Sequence, residues 1–111
     1  MSVRGIHHVG VAVSDLDEAI ATYERLFGAR VELVAPTVED TPVARFLATR
    51  GPGMHHVAYE TDDVREALGE LAAAGAELID ESPRRGLFGL EVAFVHPDAV
   101  HGVLTEVVSG G

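Results

Sequence analysis

Residues 5–20 read GIHHVGVAVSDLDEAI and residues 53–68 read GMHHVAYETDDVREAL. The two stretches align without a gap at an offset of 48 residues. Seven of the sixteen pairs are identical, among them His7/His55, His8/His56 and Asp15/Asp63, and Leu16/Val64 and Ile20/Leu68 are similar. A tandem His pair recurring in register is the mark of one supersecondary unit used twice, so each copy constrains the reading of the other.

Each copy opens as a strand. Ile6 to Val13 alternates, with Val9, Val11 and Val13 on one face and Ile6, His8, Gly10 and Ala12 on the other. Ser14 or Asp15 then caps a helix whose first turn holds Asp17 and Glu18, where the helix dipole favours negative charge. Leu16, Ile20, Tyr23 and Phe27 form its apolar stripe and Gly28 its C-terminal stop. In the second copy Asp62 is expected to cap, Val64, Leu68 and Leu71 to form the stripe, and Gly75 to end the helix.

Beyond these matched segments the halves differ. Three strands are expected after Gly75, at Ala76 to Asp80, Leu90 to Val95 and Gly102 to Val108, with turns at 81–86 and 96–98. Only one, Val31 to Ala35, is expected after Gly28, followed by a short bridging helix over Thr41 to Thr49. The fold class is therefore α+β, a second βαβββ module (51–111) joined to a first module (1–50) reduced to about βαβ, together one compact domain.

Composition narrows the chemistry. The chain of 111 residues has 18 acidic and 8 basic residues, a net charge of −10, which argues against nucleic acid and anionic membranes as partners. No apolar run is long enough to span a bilayer and no signal-peptide core follows Met1, so a cytoplasmic location is expected. There is no Cys or Lys, which removes disulfides, thiolate chemistry and Schiff bases. Carboxylates and six His remain, pointing to acid–base or metal chemistry.

The repeat suggests which residues converge. His8 and His56 hold equivalent places on the two first strands, and Glu32 and Glu106 hold matching places in VELV and TEVV. In each His pair the second lies on the face with small neighbours, which leave room for a ligand. A His₂Glu₂ set suits one divalent Co, Mn, Ni, Fe or Zn ion with open positions left for substrate. His7 and His55 read as supporting or packing residues, and His96 and His101, in or beside a turn, as having no role. Arg84-Arg85 reads as a solvated turn or an anion contact.

The chain resembles the vicinal oxygen chelate superfamily, and within it the methylmalonyl-CoA epimerase family. The resemblance lies in IHHVGVAVSDLDEAIATYERLFG, VELVAPTVEDTPVARFLATRGPGMHHVAYETDDV, LIDESPRRG, VAFVHP and GVLTEVV. Its most specific stretch is the linker Thr41 to Leu47 followed by GMHHVAYE, which glyoxalases and resistance proteins generally lack. The resemblance implies paired βαβββ modules lining a cupped sheet and a metal held by His8, Glu32, His56 and Glu106. It implies an acyl-CoA substrate that loses the proton at C2, with Glu106 as the base on one face.

One departure matters for that chemistry. GAR runs directly into VELV, and about 30 residues expected there from the second copy are absent. By the resemblance, that segment carries the second base. Glu39, Glu81 and Glu91 are possible replacements. An enzyme of the epimerase type is the first expectation. A non-catalytic metal- or ligand-binding relative is the second, and a glyoxalase-type lyase explains the ligands but not the linker. The unpaired strand edges of a shortened module predict a homodimer, with Val31 to Ala35 shared or paired across it.

Overall fold

The computed structural model describes residues 2–27, 31–35, 41–86 and 89–110. The elements in chain order are β1 (Val3–Ala12), α1 (Leu16–Leu26), β2 (Val31–Val34), α2 (Pro42–Arg50), β3 (Gly53–Thr61), α3 (Val64–Ala73), β4 (Arg84–Arg85), β5 (Glu91–Val95) and β6 (Thr105–Ser109), with a short 3-10 turn at Pro97–Val100. The architecture is α+β, and among the described residues the first copy is β-α-β, as its sequence predicts. The contacts divide the chain into two units, His8–His55 and Met1–His7 with His56–Gly111. No helix of the described residues is long and apolar enough to cross a membrane.

In the larger unit β6 lies between β3, to which it is parallel, and β5, to which it is antiparallel, and β4 closes the edge antiparallel to β5. α3 packs on one face of these strands. Val64, Leu68, Ala93 and Val107 are all buried there, with Val3, Tyr59, Leu71 and Leu78 against them. Ala58, Val92 and Val108 form a second cluster, joined by Leu90. The alternation of β3, β5 and β6 accounts for both: Tyr59, Ala93 and Val107 point to α3, and Ala58, Val92 and Val108 point away. Asp63 caps α3, its carboxylate accepting from Glu66 N–H at 3.1 Å.

Three sequence expectations are corrected here. The cap is Asp63, not Asp62; the repeat register pairs Asp63 with Asp15, while Asp62 pairs with Arg4 at 3.2 Å. The strand expected over Ala76 to Asp80 shrinks to a single bridge between Leu78 and Val95. The cause is Asp80, whose carboxylate accepts the Phe94 N–H at 2.8 Å and so removes a donor the ladder needs. Pairing resumes at Arg84-Arg85, which is a short edge strand on β5 and not a turn.

The start of the chain is tied to α3. Glu70 accepts hydrogen bonds from the Ser2 backbone N–H at 2.9 Å and from its hydroxyl at 2.8 Å. The backbone bond first, and the hydroxyl bond second, hold the Glu70 carboxyl below its ordinary range. A lowered carboxylate adds stability that is fully present above the ordinary range and is lost as pH falls through the lowered folded-state pKa. Glu70→Gln is therefore expected to lower the urea midpoint at pH 7 and to match the unaltered protein only once the pH lies below that lowered pKa. Equal midpoints at pH 7 would show that the tether is inert.

In the smaller unit β2 runs parallel to β1 at an edge, pairing Val9 to Ala12 with Val31 to Val34. Asp15 caps α1, accepting from Glu18 N–H at 3.0 Å, and Thr41 caps α2, accepting from Ala44 N–H at 3.1 Å. α1 ends at Phe27, whose N–H reaches the Tyr23 carbonyl; the expected stop at Gly28 lies outside the described residues. The stripe of α1 is exposed where that of α3 is buried: Leu16 is 39%, Ile20 38% and Phe27 67% accessible. α3 packs on β5 and β6, whereas α1 packs on β2, a four-residue strand. The missing strands thus show as uncovered apolar surface.

Candidate functional site

The two copies build the same local arrangement. In the smaller unit Gly10, two residues after His8, lies directly opposite Glu32 in the parallel β1–β2 pair. In the larger unit Ala58, two residues after His56, lies directly opposite Glu106 in the parallel β3–β6 pair. Directly opposed residues share a face, so each unit places its second His and its Glu on one face. The 48-residue offset of the sequence repeat is thereby reproduced in strand register, since Gly10 and Ala58 are repeat partners.

The donor geometry in the smaller unit suits a shared cation. His8 Nε2 and Glu32 Oε2 are 3.4 Å apart, on side chains 13% and 31% accessible. Two donors about 2.1 Å from one ion and at right angles to each other lie about 3 Å apart. Imidazole nitrogen and carboxylate oxygen without sulfur match borderline and hard divalent ions. In the larger unit His56 is 7% and Glu106 9% accessible. Two ionisable groups so deeply placed need polar partners or a cation to offset the cost of leaving water.

Two other His residues have defined surroundings. His55 packs edge-on against Phe46, ring centroids 5.1 Å apart. Burial pushes its pKa down, and the Glu32 charge opposes that shift. His96 Nδ1 accepts the Asp98 N–H at 3.1 Å and caps the short 3-10 turn. Glu77 and Asp98 stand near the same nitrogen, at 3.9 and 3.8 Å, in an exposed cluster whose His nitrogen already serves that cap.

Two of the carboxylates considered as substitute bases are on the wrong side. Glu91 opposes Arg85 and Ser109 and alternates with Val92, so it shares the α3 face with Ala93 and not the face of Glu106. Glu81 lines an open groove beside α3 with Arg65, Leu68 and Leu78. Glu39 lies outside the described residues. The sequence reading missed Glu60, which shares the His56 face by period two; Arg4 holds it at 2.7 Å.

The sequence pattern of the Glyoxalase/Bleomycin resistance protein/Dioxygenase superfamily matches residues 28–94. The chain is similar to the ethylmalonyl-CoA/methylmalonyl-CoA epimerase of Cereibacter sphaeroides, 32% identical over 92% of this chain and 95% of that one. That alignment runs over 127 positions, so it includes on the order of 25 at which the relative has residues and this chain has none. Its fold is similar to that of a methylmalonyl-CoA epimerase solved in complex with methylmalonyl-CoA and NH4+, with a TM-score of 0.92 and 30% identity over 99% of this chain and 96% of that one. The epimerase of Mycobacterium tuberculosis matches with a TM-score of 0.92 and 32% identity, over 99% of this chain and 90% of that one.

Proposed function

The chain belongs to the glyoxalase/bleomycin resistance protein/dioxygenase superfamily, and from that membership we propose that it is a metal-dependent epimerase of methylmalonyl-CoA. One observation carries the reading: each repeat copy sets a His two residues before a small residue that faces a Glu. In this reading His8, Glu32, His56 and Glu106 together hold one divalent Co, Mn, Ni, Fe or Zn ion. The bound ion supplies a positive charge that stabilises the negative charge developing on the substrate's oxygens as C2 loses its proton. Glu106 takes that proton. Glu106 is 9% accessible and lies between Ala58 and Phe94 in strand register. Inversion also needs a proton returned from the opposite side of C2.

A second reading, a metal- or small-ligand-binding relative without turnover, is favoured by the positions this chain lacks against its relatives. Incubating single-epimer methylmalonyl-CoA in deuterium oxide separates the two. Inversion with deuterium at C2 is the expected outcome. Exchange without inversion would mean a single working base, and neither inversion nor exchange would sink the epimerase reading.

The reading includes a cytoplasmic homodimer. β4 is a two-residue edge carrying two Arg, a blunted edge, whereas β2 is an edge strand of sequence VELV next to an exposed apolar helix stripe. Light scattering at micromolar protein is expected to give twice the 11.7 kDa chain mass. A stable monomer would overturn this part.

A further inference from the structure

Two adjacent arginines on β4 are separated by the pleat. Arg84 opposes Val92, which opposes Val108, so Arg84 stands on the face that carries His56 and Glu106. Arg85 opposes Glu91 and stands on the α3 face. Arg84 is also fixed in place. Its Nε and Nη2 contact Asp80 Oδ2 at 3.2 and 3.1 Å, and that same oxygen accepts the Phe94 N–H. Its guanidinium lies over the Phe94 ring, 5.0 Å from the centroid, and Phe94 is the direct cross-strand neighbour of Glu106. Arg84, Phe94 and Glu106 are thus consecutive neighbours on one face.

A surface-only role does not need this arrangement. A guanidinium held by a carboxylate on one edge and an aromatic ring beneath it has lost most of its rotamer freedom before any ligand arrives. Its side chain is still 55% accessible, and the Asp80 contacts engage two of its three nitrogens. The chain carries a net charge of −10, so an anionic ligand approaching this face needs a local fixed cation to offset the general repulsion.

We propose that Arg84 is the residue that binds an anionic oxygen group of the substrate on the Glu106 face, and that Arg85 has no part in it. The inference rests on the acyl-CoA reading above, whose substrate offers two such groups, the malonyl-type carboxylate and the phosphates of the CoA. Arg84 recognises either by the same charge-assisted hydrogen bonds.

Calorimetric binding tests this without turnover, using methylmalonyl-pantetheine, which has the carboxylate and no phosphate diester or nucleotide, and propionyl-CoA, which has the phosphates and no free carboxylate. Arg84→Met is expected to weaken one of the two by about tenfold to a hundredfold, and the probe affected identifies the group. Arg85→Met is expected to leave both unchanged. Should Arg84→Met lose its fold, Arg84→Lys carries the test, with a smaller loss for the same probe because the charge stays and the planar fork goes. Binding by the unaltered protein that Arg84 substitutions leave intact, or that Arg85→Met weakens equally, overturns the assignment alone. Failure of the unaltered protein to bind either probe overturns the acyl-CoA reading and the assignment with it.

Discussion

Glu106→Gln is expected to slow deuterium exchange at C2 of methylmalonyl-CoA by roughly 10²–10⁴-fold while the protein keeps its metal. The amide preserves an oxygen donor of nearly the same shape, so a ligand role alone is largely spared. What it removes is a group that accepts a proton at neutral pH. The surroundings favour retention of the fold, because Glu106 sits between Ala58 and Phe94 on a pleat whose neighbours Thr105, Val107 and Val108 are buried independently of its charge. Glu60→Gln is the natural control, since Glu60 shares the face but is held by Arg4 at 2.7 Å. Unchanged exchange in Glu106→Gln with metal retained would assign the proton transfer elsewhere. Loss of metal along with exchange would reduce Glu106 to a ligand.

Much of this arrangement is legible in the chain because it is written twice. The repeat places β1, β3, α1 and α3, but not the caps: Ser14 and Asp15 in one copy and Asp62 and Asp63 in the other are all good capping residues, and the structure takes the second of each pair. The alternation in TEVVS and EVAFV is also readable, because strands buried on both faces carry β-branched residues continuously. What fails is local competition that pattern cannot see. LID reads as a strand, but the Asp80 carboxylate takes the Phe94 N–H, and pairing moves on to two arginines that read as a turn. Amphipathicity misleads in the same way on α1. Its stripe is as good a sequence signal as that of α3, yet its residues are exposed because burial depends on the strands beneath a helix.

The site divides along similar lines. The choice of the second His in each pair follows from period two and from small neighbours, and strand register then sets Glu32 and Glu106 on the same faces. Arg84 could not be chosen over Arg85 without that register, because adjacent residues on a strand differ only in which face they take. Glu91 is the mirror case. It is a carboxylate near Glu106 in the pairing scheme, yet the pleat turns it to the helix side. Candidate bases listed by type alone therefore outnumber those that can reach one substrate atom.

Removing both imidazoles, His8→Ala with His56→Ala, is expected to abolish stoichiometric binding of the divalent ion, read as metal per chain after dialysis. Each substitution takes one nitrogen donor from a different copy of the repeat, so either alone should lower affinity and the pair should end it. His8 is the cleaner single test, because its Nε2 lies 3.4 Å from Glu32 Oε2 and its loss takes away one of two adjacent donors while the carboxylate donor stays. Stability reports the same event independently. An ion present at 100 times its Kd adds about 2.7 kcal/mol to a folded state that alone binds it. In a chain of this size the double variant should therefore lose a metal-dependent rise in Tm of several degrees. Acidification should remove the rise in the unaltered protein as well, since a protonated imidazole has no lone pair to offer. The metal-free Tm separates ligand loss from misfolding: His56 is 7% accessible, so its truncation lowers that baseline by itself, and what should vanish in the double variant is the rise above its own metal-free baseline on adding the ion. Full metal occupancy in the double variant would show that the ion, if bound, sits on other residues. A metal-free Tm that falls as far as the metal-loaded one would instead make the two His structural.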